Sequence, residues 1–195
     1  MASLKDRYST VAIALHWTIA LLIISNIGLA WYFNTLHGEA AAGPVQLHKS
    51  IGITVLLLSV ARLTWRLIVP PPSLPAYVPG WERGLAHATH FGFYLIMLGS
   101  PLTGWAMSSA SPLIHIFPIT LYGVVPWPAM GFLTNLPHDQ MKSAHHLLEA
   151  SHGLLAKLAY VLIALHVAGA LKHQFISRDD VVVRMIPFLK RRRLS

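Results

Sequence analysis

Long apolar stretches separated by short polar or proline-rich punctuation run the length of the chain, and four of them reach the roughly 20 residues a helix needs to cross a bilayer. They cover residues 10–32, 46–68, 85–107 and 146–172. The pattern predicts an all-α fold, a four-helix transmembrane bundle occupying residues 1–195 as one domain embedded in the lipid bilayer. Between the first two spans, residues 34–45 read as a short Gly/Ala-rich loop. Pro70, Pro71, Pro72, Pro75 and Pro79 make the second connection a stiff, extended cover, because proline removes a helix donor and restricts its neighbour. The third connection, residues 108–143, is the longest and mixes Phe117, Tyr122, Trp127 and Phe132 with prolines. Aromatic rings favour the membrane interface, so this segment reads as a lid shaping an entrance on the outer side. Pro101 predicts a kink in the third helix.

Composition agrees with the pattern. The chain is 54% hydrophobic and 11% charged, against about 25% charged in ordinary soluble domains. It contains no cysteine, which excludes disulfides, thiolate-bound iron–sulfur clusters and covalent c-type haem attachment. Lys5 and Arg7 precede the first apolar run as they would in a signal peptide, but that run is about 23 residues, longer than the 7 to 15 of a signal core, and reads as a retained helix.

Charge sets the expected orientation. Lys5 and Arg7, then Arg62, Arg66 and Arg83, then Lys172, Arg178, Arg184, Lys190, Arg191, Arg192 and Arg193 hold twelve of the fifteen Lys and Arg residues. Cytoplasmic loops are enriched in these residues, so both termini and the second connection are expected in the cytoplasm, as four spans require. Lys49 and Lys142 fall on the outer side. The net charge of +8 is a topology signal and a contact for anionic lipid, with no nucleic-acid partner implied.

The candidate chemistry lies with the twelve histidines. His152 and His166 are 14 residues apart in the last span, about 21 Å along a helix and only about 40° around it. Both imidazoles therefore point one way at two membrane depths, where ionisable groups are costly and usually functional. His16 lies at the inner level of His166, and His48 at the outer level of His152. Two six-coordinate b haems, one per pair, account for all four residues. A lone membrane histidine serves equally well as an interhelical hydrogen-bond donor, and imidazole also binds zinc, copper or nickel. The spans, however, carry almost no carboxylate to support a divalent-cation pathway.

The remaining residues have lesser roles. His87 and His90 are one turn apart at the inner start of the third helix and offer a face to the inner site; His90 is a rival ligand or a quinone hydrogen-bond partner. His173 follows His166 by seven residues on the same face and is a candidate quinone-linked proton donor. Arg62, Arg66 and Lys172 on the inner side, and Lys49 and Lys142 on the outer, are candidate partners for haem propionates. Lys157, within the last span, is expected to face the interior or a wet crevice. His145 and His146, with His37, His115 and His138, read as solvated.

These motifs together resemble the prokaryotic cytochrome b561 family, related to the cytochrome b subunits of membrane hydrogenases and formate dehydrogenases. The likeness runs through Ala14-Leu15-His16-Trp17, Leu47-His48-Lys49-Ser50-Ile51-Gly52, Ala61-Arg62 to Arg66 with the prolines after it, Thr89-His90, Pro101-Leu102-Thr103-Gly104-Trp105, Leu165-His166 and Leu171-Lys172-His173. The resemblance implies four spans in the bacterial inner membrane, two haem b groups and ligands at His16, His48, His152 and His166. It further implies oxidation of superoxide at the outer side, with ubiquinone as electron acceptor near the cytoplasm. Lys49 and Lys142 would then steer the anion, and His90 and His173 would serve the quinone end. Related subunits instead conduct electrons from a dehydrogenase or hydrogenase partner, and a haem-free transporter or scaffold is the third alternative.

Overall fold

The computed structural model describes residues 7–73 and 77–186. Its long helices are α1 (Thr10–Phe33), α2 (Glu39–Ile68), α3 (Gly80–Ser109) and α5 (His138–Leu171), with a short α4 (Gly131–Thr134) and a two-stranded hairpin of β1 (Thr120–Leu121) and β2 (Val125–Pro126) before α5. A π-helical turn, Lys172–Ser177, extends α5, and a 3-10 turn follows at Val182–Arg184. The helices of α1, α2 and α5 with its extension are each long and apolar enough to cross a membrane. α3 is as long as α2, but its first turns carry Glu82, Arg83, His87 and His90.

The long helices pack in sequence, α1 on α2, α2 on α3 and α3 on α5. α1 also meets α5, where Trp31 Nε1 donates to Tyr160 Oη at 3.3 Å. Ser9 caps α1 by accepting the Ala12 N–H, and the same hydroxyl accepts Trp65 Nε1–H at 2.9 Å, which ties the start of α1 to the end of α2. Trp17 Nε1 donates to Met185 O at 2.9 Å. Both ends of the described chain therefore lie at one end of the bundle, here the terminal end; the hairpin and α4 lie at the opposite, loop end. An apolar layer of Ile19, Val55 and Met97 fills the middle. Outside it, Leu21, Ile24, Leu57, Phe91, Leu95, Val161 and Leu165 are exposed, an apolar surface that suits lipid rather than water.

Several sequence expectations change in detail. α2 begins at Glu39 and α5 at His138, so the first loop shrinks and the last helix grows toward the loop end. The turns added to α5 are polar and apolar counting does not register them, whereas those added to α2, Glu39 to Val45, are rich in alanine with Gly43 and Pro44 and read as a loop for that reason. The third connection, read as a lid, contains regular structure, the hairpin and α4, and is bonded to α2. Gln46 Nε2 donates to Thr120 O and Oγ1, and fully buried Ser50 accepts the Tyr122 N–H at 2.9 Å. Tyr122 and Gly123 take left-handed backbone at φ 53 and 73. That is unfavourable for tyrosine, and its hydroxyl contact to Thr54 Oγ1 at 2.6 Å helps fix it there. α3 runs on through Pro101 as one helix. The proline-rich link is non-helical at Pro70–Ser73; Leu74, Pro75 and Ala76 lie outside the described residues, as do Lys5 and the basic residues beyond 186.

Two side chains are not where the sequence reading put them. Lys157 is exposed on the outside of the bundle. Five residues turn a helix about 140°, so Lys157 is carried off the face of His152 and its stem can snorkel along lipid. His145 is not a solvated residue; its Nδ1 donates to Met107 O at 2.9 Å and pins α5 to α3.

Candidate functional site

At the loop end, α2 presents His48 and α5 presents His152, with ring centres 6.2 Å apart and planes at 82°. Each ring is oriented through Nδ1. His48 donates to Asn26 O of α1 at 3.2 Å, and His152 to Ser100 O of α3 at 2.9 Å, with Thr103 Oγ1 at 3.3 Å. A carbonyl only accepts, so both imidazoles carry their proton on Nδ1 and leave the Nε2 lone pair free. Phe33 stands edge-on to His48 at 5.3 Å. Gly104 supplies the room for His152, because a Cβ there would lie 3.2 Å from its Cε1.

At the terminal end, His16 of α1 and His166 of α5 have ring centres 6.1 Å apart at 63°. This site is more crowded. His90 of α3 lies 5.6 Å from His166 and Phe93 lies 5.4 Å from it, both edge-on. His90 Nδ1 donates to Ala86 O of its own helix at 2.6 Å. Arg62 Nη1 stands 2.9 Å from His16 Nδ1. Guanidinium only donates, so His16 accepts at Nδ1 and keeps its proton on Nε2. Arg66 lies over the Tyr94 ring at 5.8 Å.

Whether these rings fit haem iron is a matter of distance and tautomer. Two imidazoles that bind one iron from opposite sides have bonds of about 2 Å each and ring centres about 1.1 Å beyond the nitrogens, which requires about 6.2 Å between centres. Both pairs meet that separation, and His90, at 5.6 Å from His166, departs from it by about 0.6 Å. The loop-end pair also has the ligand tautomer and the carbonyl acceptors that orient metal-bound histidine. At the terminal end, Nε2 ligation by His16 requires its proton to move to Nδ1 and Arg62 to give up its bond. Two buried hydroxyls beside this site, Ser59 and Tyr94, have no hydrogen-bond partner among the described residues, so polar capacity is left over for a bound group. Among the described residues no group of three or more His, Cys, Asp or Glu side chains could hold a metal alone. Paired imidazoles with a porphyrin supplying the other ligands fit; an all-protein metal cage does not.

The other expected residues divide. Arg62 and Arg66 of α2 are at the terminal-end site. Lys49 follows His48 and is half-buried, whereas Lys142 is exposed on the first turns of α5. His87 is exposed and turned away, so only His90 of that pair faces the bundle. His173 joins Glu82 and Asp179 at the terminal rim. The sequence reading missed Asn26, Ser100, Thr103, Phe33 and Phe93. The first two act through backbone carbonyls, which carry no side-chain signal, but Gly104 one turn past Ser100 hinted at a close approach.

Comparison with known proteins gives a consistent result. Residues 7–188 match the prokaryotic cytochrome b561 family. The chain is 34% identical to cytochrome b561 homolog 2 of Escherichia coli (strain K12), over 93% of this chain and 92% of the relative. It is 31% identical to a protein of Yersinia pestis named probable superoxide oxidase CybB, over 94% and 98%. Cytochrome b561 homolog 1 of E. coli is 28% identical over 93% and 98%.

Proposed function

The chain belongs to the prokaryotic cytochrome b561 family, and from that premise we propose that it moves electrons between two haem b groups across the bacterial inner membrane, oxidising superoxide at one face and reducing ubiquinone at the other. The family makes the protein a helical membrane electron-transfer protein of oxidoreductase type that binds b haem. The finer reading is ours: four spans including α3, the loop end outside, and both termini in the cytoplasm. His48 and His152 hold the outer haem, and His16 and His166 the inner.

The observation that carries this reading is the pair of matched imidazole separations, 6.2 and 6.1 Å, built on one helix. Haem b at each pair supplies one-electron storage and transfer. The chemistry balances when two superoxide ions each give up one electron and leave as dioxygen, while one quinone takes two electrons and two protons to become quinol. Lys49 and Lys142 raise the local concentration of the anion at the outer face. At the inner face, Arg62 and Arg66 are the donors available to quinone oxygens, His90, whose Nδ1 proton goes to Ala86 O, offers Nε2 as an acceptor for a quinol hydroxyl, and His173 lies on the proton side. The relative named as a probable superoxide oxidase supports the choice of donor.

The test is an anaerobic visible spectrum of the purified protein before and after a pulse of superoxide, with quinone absent. Two haems per chain and prompt reduced b-type bands are expected. Bands that respond only to dithionite would overturn the donor and favour a conduit for a partner dehydrogenase. A colourless protein would overturn both.

A further inference from the structure

Three ionisable side chains are packed together where the last helix leaves the bundle at the terminal end. The Glu82, His173 and Asp179 side chains are 11%, 16% and 9% exposed. His173 Nδ1 donates to Asp179 Oδ2 at 2.7 Å, and its Nε2 is 3.8 Å from Glu82 Oε2. Glu82 Oε1 accepts from Lys172 Nζ at 2.6 Å, and Asp179 Oδ1 accepts the Val181 N–H at 3.1 Å. The imidazole is thus held between two carboxylates, each anchored by its second oxygen.

The backbone is shaped to produce this contact. A regular helix would carry residue 179 about 9 Å past residue 173. Instead the helix widens into a π turn over Lys172–Ser177, and Arg178 takes the left-handed conformation at φ 52 and ψ 39. The chain then reverses so that Asp179 N–H reaches His173 O at 3.2 Å. Such π turns recur at functional sites. Beyond it, buried Val183, the bond from Arg184 Nη1 to Ser73 O at 2.7 Å and the bond from Trp17 to Met185 O hold the reversed segment down.

Charge counting shows what this cluster can do. Lys172 contributes one positive charge, and Glu82 and Asp179 one negative each, so the set is balanced only when the imidazole also carries a proton. The other charged or titratable groups near it are Asp180, Arg178 and Arg184 on the reversed segment, Arg83 beside Glu82 on α3, and Tyr77. Burial, then the neighbouring Asp179, pushes the Tyr77 phenol up, so it stays a neutral hydroxyl. His173 is also two turns from His166 on the same helix face, about 10.5 Å along the axis.

We propose that His173, clamped by Asp179 and facing Glu82, is the proton-loading point of the inner site, taking up one proton at Nε2 when an electron arrives below it. Glu82 passes the proton across a gap that one water or a small movement closes, and Asp179 is the positioning residue that keeps the second ring proton on Nδ1. The purpose of this uptake rests on the reading that quinone is reduced at this end, since each quinol needs two protons.

The test is a redox titration of the purified, haem-loaded protein at several pH values from about 5 to 8, with no quinone present. The inner haem's potential is expected to fall with rising pH in the wild type and to lose that dependence in His173→Gln, Asp179→Asn and Glu82→Gln. Asp179→Glu should restore it. With quinone added, the same variants should form quinol about tenfold more slowly at pH 8, a modest share of what a positioned proton donor supplies. A pH-independent wild-type potential, or variants that retain the dependence, would overturn the proposal. Should Asp179→Asn lose haem, His173→Gln and Glu82→Gln decide between the same two outcomes. A pH-dependent potential without quinone reduction would sink the quinone reading and leave the proton-loading point standing.

Discussion

The two histidine pairs are nearly equal in separation and opposite in surroundings. At the loop end, both Nδ1 protons go to backbone carbonyls of neighbouring helices, the rings are fixed in one tautomer, Phe33 and Gly104 shape the space around them, and the buried Asn26 Oδ1 lacks a hydrogen-bond partner among the described residues. At the terminal end, a guanidinium faces His16, a third imidazole and a phenylalanine crowd His166, and two buried hydroxyls lack partners among the described residues. Matching distances equip both for the same cofactor. Under the proposed function, the difference in neighbours would separate a station that only passes electrons from one that also handles charge, protons and a second reactant.

Replacing His152 or His166 tests the comparison most severely. Each change to alanine should lose one of two haems, the outer in His152→Ala and the inner in His166→Ala, measured as haem per chain and by which b-type band disappears. Retention of both haems in either variant would break the pairing. Next in size is Gly104→Val, which places a branched side chain where even a Cβ lies 3.2 Å from the His152 ring. It should lower outer-haem occupancy and leave the inner band intact; an equal effect on both would mean that the sites are not independent.

His90→Ala sharpens the contrast from the other side. It should keep both haems while quinol formation slows about tenfold, a modest share of the effect of a positioned acid or base. Loss of the inner haem would instead make His90 a ligand. A smaller effect is expected from Thr103→Val, which removes the secondary contact to His152 Nδ1 and keeps Ser100 O. A cost of about 0.5 to 1.5 kcal/mol in stability, read from thermal unfolding followed by haem absorbance, would match one modest hydrogen bond. Lys157→Leu should change nothing in either spectrum.

The features legible in the sequence were those fixed by helix periodicity. The levels of His16, His48, His152 and His166 follow from residue counts and span ends, and the structure brings those side chains together as counted. Applied further, the same arithmetic would have turned Lys157 outward, since about 140° separates it from His152. The neighbours were not legible. Asn26 and Ser100 act through carbonyls that every residue possesses, and Glu82 meets His173 only because α3 and α5 pack side by side. Asp179 reaches back through a π turn and one left-handed residue, neither of which leaves an apolar pattern. The cap over α2 was hidden for a related reason: Ser50 and Tyr122 look like ordinary loop and span residues until their hydrogen bond is seen.

His152 and His166 belong to one uninterrupted helix, His138–Leu171, and this has a consequence for how such chains diverge. The spacing between the two centres is a property of peptide geometry rather than of any contact between helices. Between Gly153 and Leu165 the composition is therefore free to drift among apolar residues, whereas the length is not. Inserting or deleting a single residue there would swing one imidazole by about 100° relative to the other and uncouple it from its partner. Substitution and indel tolerance should part company along this stretch, and α5 acts as the ruler against which the other helices are free to vary.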